Sequence, residues 1–161
     1  MFFSPQSKVW IYQSNRPFSD NEVAAIQKKL DAFTEEWAAH GQALKAKAEI
    51  RYHFFIVLIV DQEQAGASGC SIDSSVRMMK EIEKEYSVDL FDRFNMAYKI
   101  DDKVFVHIKE DFETLISMKK ITLDTIVFNN LVQTLADYES KWEVPLADSW
   151  HRNIFAEQLQ A

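Results

Sequence analysis

The sequence FFIVLIV at residues 54–60 is the longest uninterrupted apolar run in the chain. A strand that is apolar on both faces fits a central position in a sheet, either covered on both sides or flanked by neighbours. The extended stretch around this run is too long for one ordinary strand. It therefore predicts a hairpin with arms at 44–51 and 54–61 that turns near Tyr52 and His53.

Upstream of the hairpin, the sequence predicts a strand followed by a well-marked helix. Residues 8–12 are β-branched and aromatic, which is typical of a strand. Ser19 and Glu22 have the spacing of a capping box, so a helix is predicted over 20–39. Its apolar residues recur at steps of three and four and form a single stripe. We expect Gly41 to end this helix in a left-handed conformation.

Downstream of the hairpin, a helix is predicted over 73–86, with Ser71 or Asp73 as its N-cap. An apolar stripe at helical spacing crosses residues 125–133, but these residues are also β-branched and aromatic, and we favour a strand there. The remaining predicted elements are strands at 95–100, 103–108 and 125–128, and helices at 111–118, 134–142 and 148–155.

The order strand, helix, strand, strand, helix, strand predicts an α+β fold of the ferredoxin-like, split βαβ type. We expect one antiparallel sheet with its helices on one face, extended by an extra strand and a C-terminal helical segment. The chain has 161 residues, which suits a single domain over 1–161. Only 3 Gly and 3 Pro are present, which disfavours propellers and sandwiches of short strands.

Charge and composition restrict the classes of partner and the compartment. The formal net charge is −7, and the basic residues are scattered, which argues against a nucleic acid as a partner. The longest apolar run is too short to span a membrane, and the first residues do not have the pattern of a secretory signal. A single Cys cannot form an internal disulfide. These observations predict a soluble cytoplasmic protein with no membrane partner.

Three stretches carry a family resemblance: WIYQSNR at 10–16, GASGCSIDSS at 66–75 and SWH at 149–151. Over nearly its full length, the chain resembles a family of short bacterial proteins that bear the name ABC transporter ATPase. That name implies ATP hydrolysis, which needs a phosphate-binding loop ending in Gly-Lys-Ser/Thr. Residues 66–75 have neither the lysine nor the spacing of that loop, so the name carries no mechanism here.

Residues 66–75 are nevertheless the most distinctive candidate site, because two of the scarce glycines and the only cysteine lie together at a helix entrance. Free backbone amides at such an entrance attract anions, and a thiol there gains reactivity. The alternative is that Ser71 and Asp73 only cap the helix and that Cys70 is a small buried hydrophobe. The candidate ligand-binding residues in this stretch are Ser68, Gly69, Cys70, Ser71 and Ser74.

Two residues outside this stretch complete the candidate ligand site. Arg16, just after the first strand, could face an anionic ligand, although a surface position is its ordinary role. His151 is of interest because it follows the aromatic Trp150, although a lone histidine has no specific signature. No spacing typical of metal ligands occurs in the sequence, so neither a metal nor a cofactor is expected.

Two functions follow from these observations. The first is binding of a small molecule or an anion at residues 66–75, with or without thiol chemistry. The second is a non-catalytic interaction module, in which copies of the chain form a homo-oligomer through a sheet edge or the aromatic C-terminal segment. The sequence names no reaction, so whether the protein is an enzyme is left open.

Overall fold

The computed structural model of the chain describes residues 2–63 and 65–160. The strands are β1 (Lys8–Gln13), β2 (Ala38–Ala39), β3 (Gln42–Ala43), β4 (Lys45–Arg51), β5 (Phe55–Asp61), β6 (Asn95–Ile100), β7 (Lys103–Ile108), β8 (Ile126–Phe128) and β9 (Glu143–Pro145). The helices are α1 (Asp20–Glu36), α2 (Gly69–Tyr86), α3 (Lys109–Ser117), α4 (Leu135–Lys141), α5 (His151–Ile154) and α6 (Ala156–Gln160), with a 3-10 turn at Leu146–Asp148.

The first sheet has the strand order β1-β5-β4, and both pairings are antiparallel. Its centre is β5, and all seven residues of that strand are buried. Tyr52 and His53 both have positive φ and close the turn between β4 and β5. The predicted hairpin and the central position of the apolar run are therefore confirmed.

One face of this sheet is covered by α1 and α2. Ile26 and Leu30 of α1 and Met79 and Ile82 of α2 are fully buried against the sheet. The predicted capping box of α1 is present, because Ser19 accepts from the Glu22 amide and the Glu22 carboxylate accepts from the Ser19 amide. This half of the molecule follows from the amphipathic pattern of its two long helices.

The second sheet has the order β7-β6-β8-β9, is also antiparallel, and packs on the opposite face of the first. Phe55 of β5 meets Phe128 of β8 with ring centroids 4.7 Å apart and Trp142 at 4.9 Å. The far face of the second sheet is covered by α3 and by Phe155, which precedes α6. The layers therefore run helices, sheet, sheet, helices.

This layering corrects the expectation of one sheet with its helices on one face. The order β1-β5-β4 agrees with a split βαβ unit, but β6, which would be its fourth strand, belongs to the second sheet. The physical reason lies in β5. Helices on one side alone would leave Phe55, Val57 and Ile59 facing water, and the second sheet covers them. The mixed, antiparallel α+β class is confirmed.

Two helix ends differ from their predicted positions. The helix α1 ends at Glu36, and Trp37 is already extended. Gly41, with φ +76, lies in the tight turn between β2 and β3 and does not cap the helix. The helix α2 begins at Gly69 and is capped by Ser68, ahead of both residues predicted as its cap.

The C-terminal prediction is confirmed in outline. Residues 126–128 are a strand, which settles the choice between strand and helix at their positions, and α4 and α5 lie within the predicted helical stretches. The short strands β2, β3 and β9 were not predicted, because two or three residues carry no readable alternation. Within residues 2–63 and 65–160, the structure has no helix whose length and apolar character would let it cross a membrane.

Candidate functional site

The serines at the start of α2 satisfy one another. Ser68 Oγ accepts from the Ser71 amide, while Ser71 Oγ accepts from the Ser68 amide at 2.6 Å and donates to the Ser68 carbonyl at 2.8 Å. Ser74 and Ser75 donate to carbonyls of the preceding turn, those of Ser71 and Ile72. These hydroxyls therefore form a helix cap, as the alternative expected of Ser71, but the N-cap is Ser68, and among the described contacts Asp73 makes no capping hydrogen bond.

Cys70 and Gly69 are exposed, and neither lines either of the two cavities at the second sheet. The alternative in which Cys70 is a small buried hydrophobe does not hold, because the residue is exposed in the first turn of α2. Among the described residues, no histidine or lysine is bonded to Cys70. The thiol therefore lacks the neighbouring base or cation that would activate it.

Arg16 lies at the opposite end of α2. Its guanidinium binds both carboxylate oxygens of Glu22, at 2.8 and 2.9 Å, and donates to the Tyr86 carbonyl at 2.6 Å. The rise of a helix places Tyr86 about 25 Å from the Ser68 cap. Glu22 holds the pKa of Arg16 above its ordinary value. The predicted grouping of Arg16 with residues 66–75 is therefore wrong.

A cavity of about 640 Å³ opens where the ends of the two sheets meet. Three buried side chains, Ala97, Met96 and Phe128, contribute to its wall from the second sheet, and Ile11 contributes from the first. The other lining residues are Tyr12, Gln13, Leu90, Phe91, Asp92, Arg93, Phe94, Asn95, Lys109, Asn130, Leu131, Trp150, His151 and Ile154.

The rim of the cavity is unusually apolar for a surface. Phe94, Leu131 and Ile154 are 68%, 66% and 48% exposed, although each also lines the cavity. They come from three separate segments of the chain, so their convergence is a product of the tertiary fold. Exposed apolar side chains that gather at a cavity mark a binding surface, whereas single ones on a surface carry no meaning.

The amide side chains in the wall are already bonded to one another. Trp142 Nε1 donates to Asn130 Oδ1, Asn130 Nδ2 donates to Gln13 Oε1, and Gln13 Nε2 donates to the Asn95 carbonyl, each at 2.9 Å. This chain of hydrogen bonds ties β1 to the second sheet. Gln13 and Asn130 each use one N–H and one lone pair in this chain, so each amide keeps one donor and one lone pair for other partners.

His151, the one predicted site residue in this cavity, is 2% exposed. Its Nδ1 lies 2.6 Å from Ser149 Oγ, and its backbone amide donates to the same oxygen at 3.0 Å. Burial lowers the pKa of the imidazole to about 4, so the ring is neutral near pH 7. Ser149 caps a local turn and does not line the cavity, so the pair lacks the exposed nucleophile of a Ser–His dyad.

Trp150 stacks on the imidazole of His151 with ring centroids 3.8 Å apart. Its indole Nε1 is buried and has no hydrogen-bond partner among the described residues. A buried N–H without an acceptor costs free energy, and such groups in native proteins call for a partner. This N–H is enclosed by the protein and is not exposed in the cavity, although other atoms of Trp150 line it.

Charged groups at the cavity are few. Arg93 makes no ion pair within the described part of the chain, and Lys109 lies 3.8 Å from Glu113, which is a weak pair. Asp92, the one carboxylate in the lining, accepts the Phe94 amide at 2.8 Å. In the described ranges, no three His, Cys, Asp or Glu side chains are grouped as metal ligands.

Most of this site could not be predicted from the sequence, because its wall combines residues from both sheets, from α3 and α5 and from the loops between elements. The segment Leu90–Phe94 carries two aromatic side chains between a helix and a strand, which is the one local signal that could have been followed. Comparison of the chain with protein-family models, with curated proteins and with solved structures gives no match.

Proposed function

We propose that the protein binds a small, mainly apolar molecule in the cavity between the ends of its two sheets. The observation that carries this proposal is the cavity itself, about 640 Å³ in volume, with a wall of apolar side chains and a rim of exposed ones. Pockets that hold small molecules have volumes of about 300–1,000 Å³ and few polar groups.

The packing of the molecule supports this assignment. Protein interiors are close-packed, and voids larger than a water molecule are few. Elsewhere between the two sheets, aromatic rings of Phe55, Phe128 and Trp142 interdigitate closely. The cavity interrupts that packing at one end, where the exposed Phe94 and Leu131 leave apolar surface in water.

The loop at 66–75 supports the proposal less well than the cavity does. Its hydroxyls bond within the helix cap, and its cysteine is exposed to solvent and does not line the cavity. We therefore propose the cavity, and not that loop, as the site that binds a small molecule. His151 is the one residue of the candidate set from the sequence that lines this cavity.

The test is a titration with N-phenyl-1-naphthylamine, a neutral apolar fluorophore that brightens when it leaves water. Saturable binding with one site per chain is expected. Ala97→Met, which fills the cavity from β6, should weaken this binding by about tenfold or more. Unchanged binding in this variant contradicts the proposal.

Ala48→Met is the matched control. Ala48 is likewise a buried strand alanine, but its side chain packs on the α1 side of the first sheet and does not line the cavity. Ala48→Met overfills a packed core, which costs about 1–3 kcal/mol of stability, whereas Ala97→Met places its added volume in the cavity. Only Ala97→Met should therefore lose affinity for the fluorophore, and Ala48→Met shows whether lost stability alone lowers that affinity.

Assembly of copies through a sheet edge is a second candidate, favoured by the free edge of β7. Asp101 and Asp102 form a two-residue turn, so Val104 and Val106 direct their backbone groups away from β6. Phe105 and Ile108 on this edge are exposed. Sedimentation should then give a dimer that Val106→Pro dissociates, since proline removes an outward amide. A monomer at high concentration contradicts this candidate.

A further inference from the structure

The outer edge of β7 presents backbone groups that a further strand can bond. In the described part of the chain, β7 pairs only with β6. Asp101 and Asp102 both have positive φ and form the two-residue turn of this hairpin, so alternate residues of β7 direct their N–H and C=O groups outwards. An uncovered edge of this kind is a template for pairing with another chain.

A groove of about 560 Å³ runs along this edge. Every residue from Asp102 to His107 lines it on one side, and Pro17 and residues 52–54 line it on the other. Val104 and Val106 are half-buried and pack on the face of β7 that is turned towards the first sheet. The side chains of a strand added to β7 would alternate in the same way, so every second one would enter the groove.

The opposite face of β7 carries Phe105, which is 38% exposed. Its ring stacks on Tyr98 of β6 with centroids 5.4 Å apart. Its backbone groups bond to β6, so against an added strand Phe105 takes the non-hydrogen-bonded position, where facing side chains come closest. Aromatic pairs at facing positions stabilise a sheet, so a strand with an aromatic residue at this point fits the edge best.

We propose that the added strand is β7 of a second copy, paired antiparallel about a two-fold axis at Phe105, and that the partner's Val104 and Val106 fill the groove. This inference rests on the second candidate function, assembly through the edge of β7, because it names the residues through which the copies meet. The pairing sets Phe105 against its own copy and Lys103 against the partner's His107, as a self-complementary interface requires. The outward groups of Val104 then bond to those of the partner's Val106.

Charge favours this register over the one with its axis at Val106, which pairs a similar length of strand. With the axis at Val106, Lys103 would approach the partner's Lys109, and like charges on facing residues destabilise a strand pair. With the axis at Phe105, Asp101 instead approaches the partner's Lys109, which gives a pair of opposite charges. The exposed charges at the two ends of β7 therefore select the axis at Phe105.

Single cysteines on β7, in a Cys70→Ser background, test the register by air oxidation. Phe105→Cys should form a disulfide-linked dimer, because facing residues at a non-hydrogen-bonded position have Cα atoms about 4.5 Å apart, within the range of a disulfide. Lys103→Cys is the matched control on the same exposed face, since its own copy would lie about 13 Å away along the partner strand. Non-reducing electrophoresis should therefore give a dimer for the first variant alone.

Sedimentation of the unmodified protein separates the register from the assembly itself. A dimer in sedimentation, with cross-linking of Lys103→Cys as strong as that of Phe105→Cys, overturns the register and leaves the assembly standing. A dimer with no cross-link in either variant does the same. A monomer at high concentration overturns both the register and the assembly.

Two lysine substitutions test whether the partner's side chains fill the groove. Val104→Lys places an ammonium group there in both copies and should raise the dissociation constant of the dimer by about tenfold or more. Ile108→Lys adds the same charge at an exposed residue of β7 that does not line the groove, and it should leave the constant nearly unchanged. Equal weakening by the two substitutions overturns the placement of the partner's side chains in the groove.

Discussion

The loop at 66–75 and the cavity wall at Trp150 and His151 both contain polar side chains, but those side chains differ in how their hydrogen bonds are satisfied. In the loop, Ser68 and Ser71 exchange hydrogen bonds and complete a helix cap. In the cavity wall, an indole N–H is buried with no acceptor in the described part of the chain. Mutual hydrogen bonds stabilise the helix cap in the loop, whereas burial without a full set of hydrogen bonds makes the segment at Trp150 and His151 sensitive to protonation.

The largest expected contrast between the two regions is their response to acid, because the cavity holds a buried histidine. Burial lowers the pKa of His151 to about 4, from the ordinary 6.5. The unfolded chain therefore gains a proton between pH 6.5 and pH 4 that the folded protein does not gain. The stability contribution is complete above pH 6.5 and is lost progressively as the pH falls to 4, by about 3 kcal/mol.

Urea unfolding at several pH values between 7 and 4 measures this loss. Comparison with His151→Gln isolates it, because the glutamine variant should lose less stability over the same range. His40→Asn is the control, since His40 is exposed in the turn between β2 and β3. If His151→Gln and the unmodified protein lose the same stability between pH 7 and pH 4, the assignment of this pH dependence to His151 is wrong.

Local sequence signals were sufficient for most of the fold. The capping box at Ser19 and the strand at 103–108 depend on neighbours in sequence, and the structure confirms both, although the predicted alternation fails at Ile108, which is exposed. The partner of β6 depends on which surface β5 leaves uncovered, and that is a property of the folded sheet. The split into two sheets therefore could not be predicted from element order alone.

The candidate site shows the same difference between what local sequence signals predict and what only the tertiary structure reveals. His151 was singled out because an aromatic residue precedes it, and it does line the cavity. Residues 66–75 drew attention because scarce residue types gather there, but composition does not reveal which hydroxyls are already bonded. The rim formed by Phe94, Leu131 and Ile154 joins segments far apart in sequence, so only the tertiary structure reveals it.

A smaller effect is expected in the loop, and it should concern stability only. Ser68→Ala removes the N-cap oxygen of α2 and should lower the free energy of unfolding by about 1 kcal/mol. Affinity for N-phenyl-1-naphthylamine should not change. Ser74→Ala is the control, because its hydroxyl bonds only to a helix carbonyl, and it should have little effect on either quantity. Loss of fluorophore binding in Ser68→Ala would indicate that the loop takes part in the binding site.

The smallest expected effect is on the labelling of Cys70, where a bound ligand should change nothing. Cys70 is exposed on α2 and does not line the cavity, so saturating N-phenyl-1-naphthylamine should leave its rate of reaction with iodoacetamide unchanged. A thiol placed at the rim by Ile154→Cys, in a Cys70→Ser background, should instead be slowed by about fivefold, because the ligand restricts access to it. Equal protection of the two thiols would mean that ligand binding closes the whole molecule, while protection of Cys70 alone would place the ligand at the helix entrance. Protection confined to the thiol at residue 154 is the outcome that a ligand held in the cavity requires.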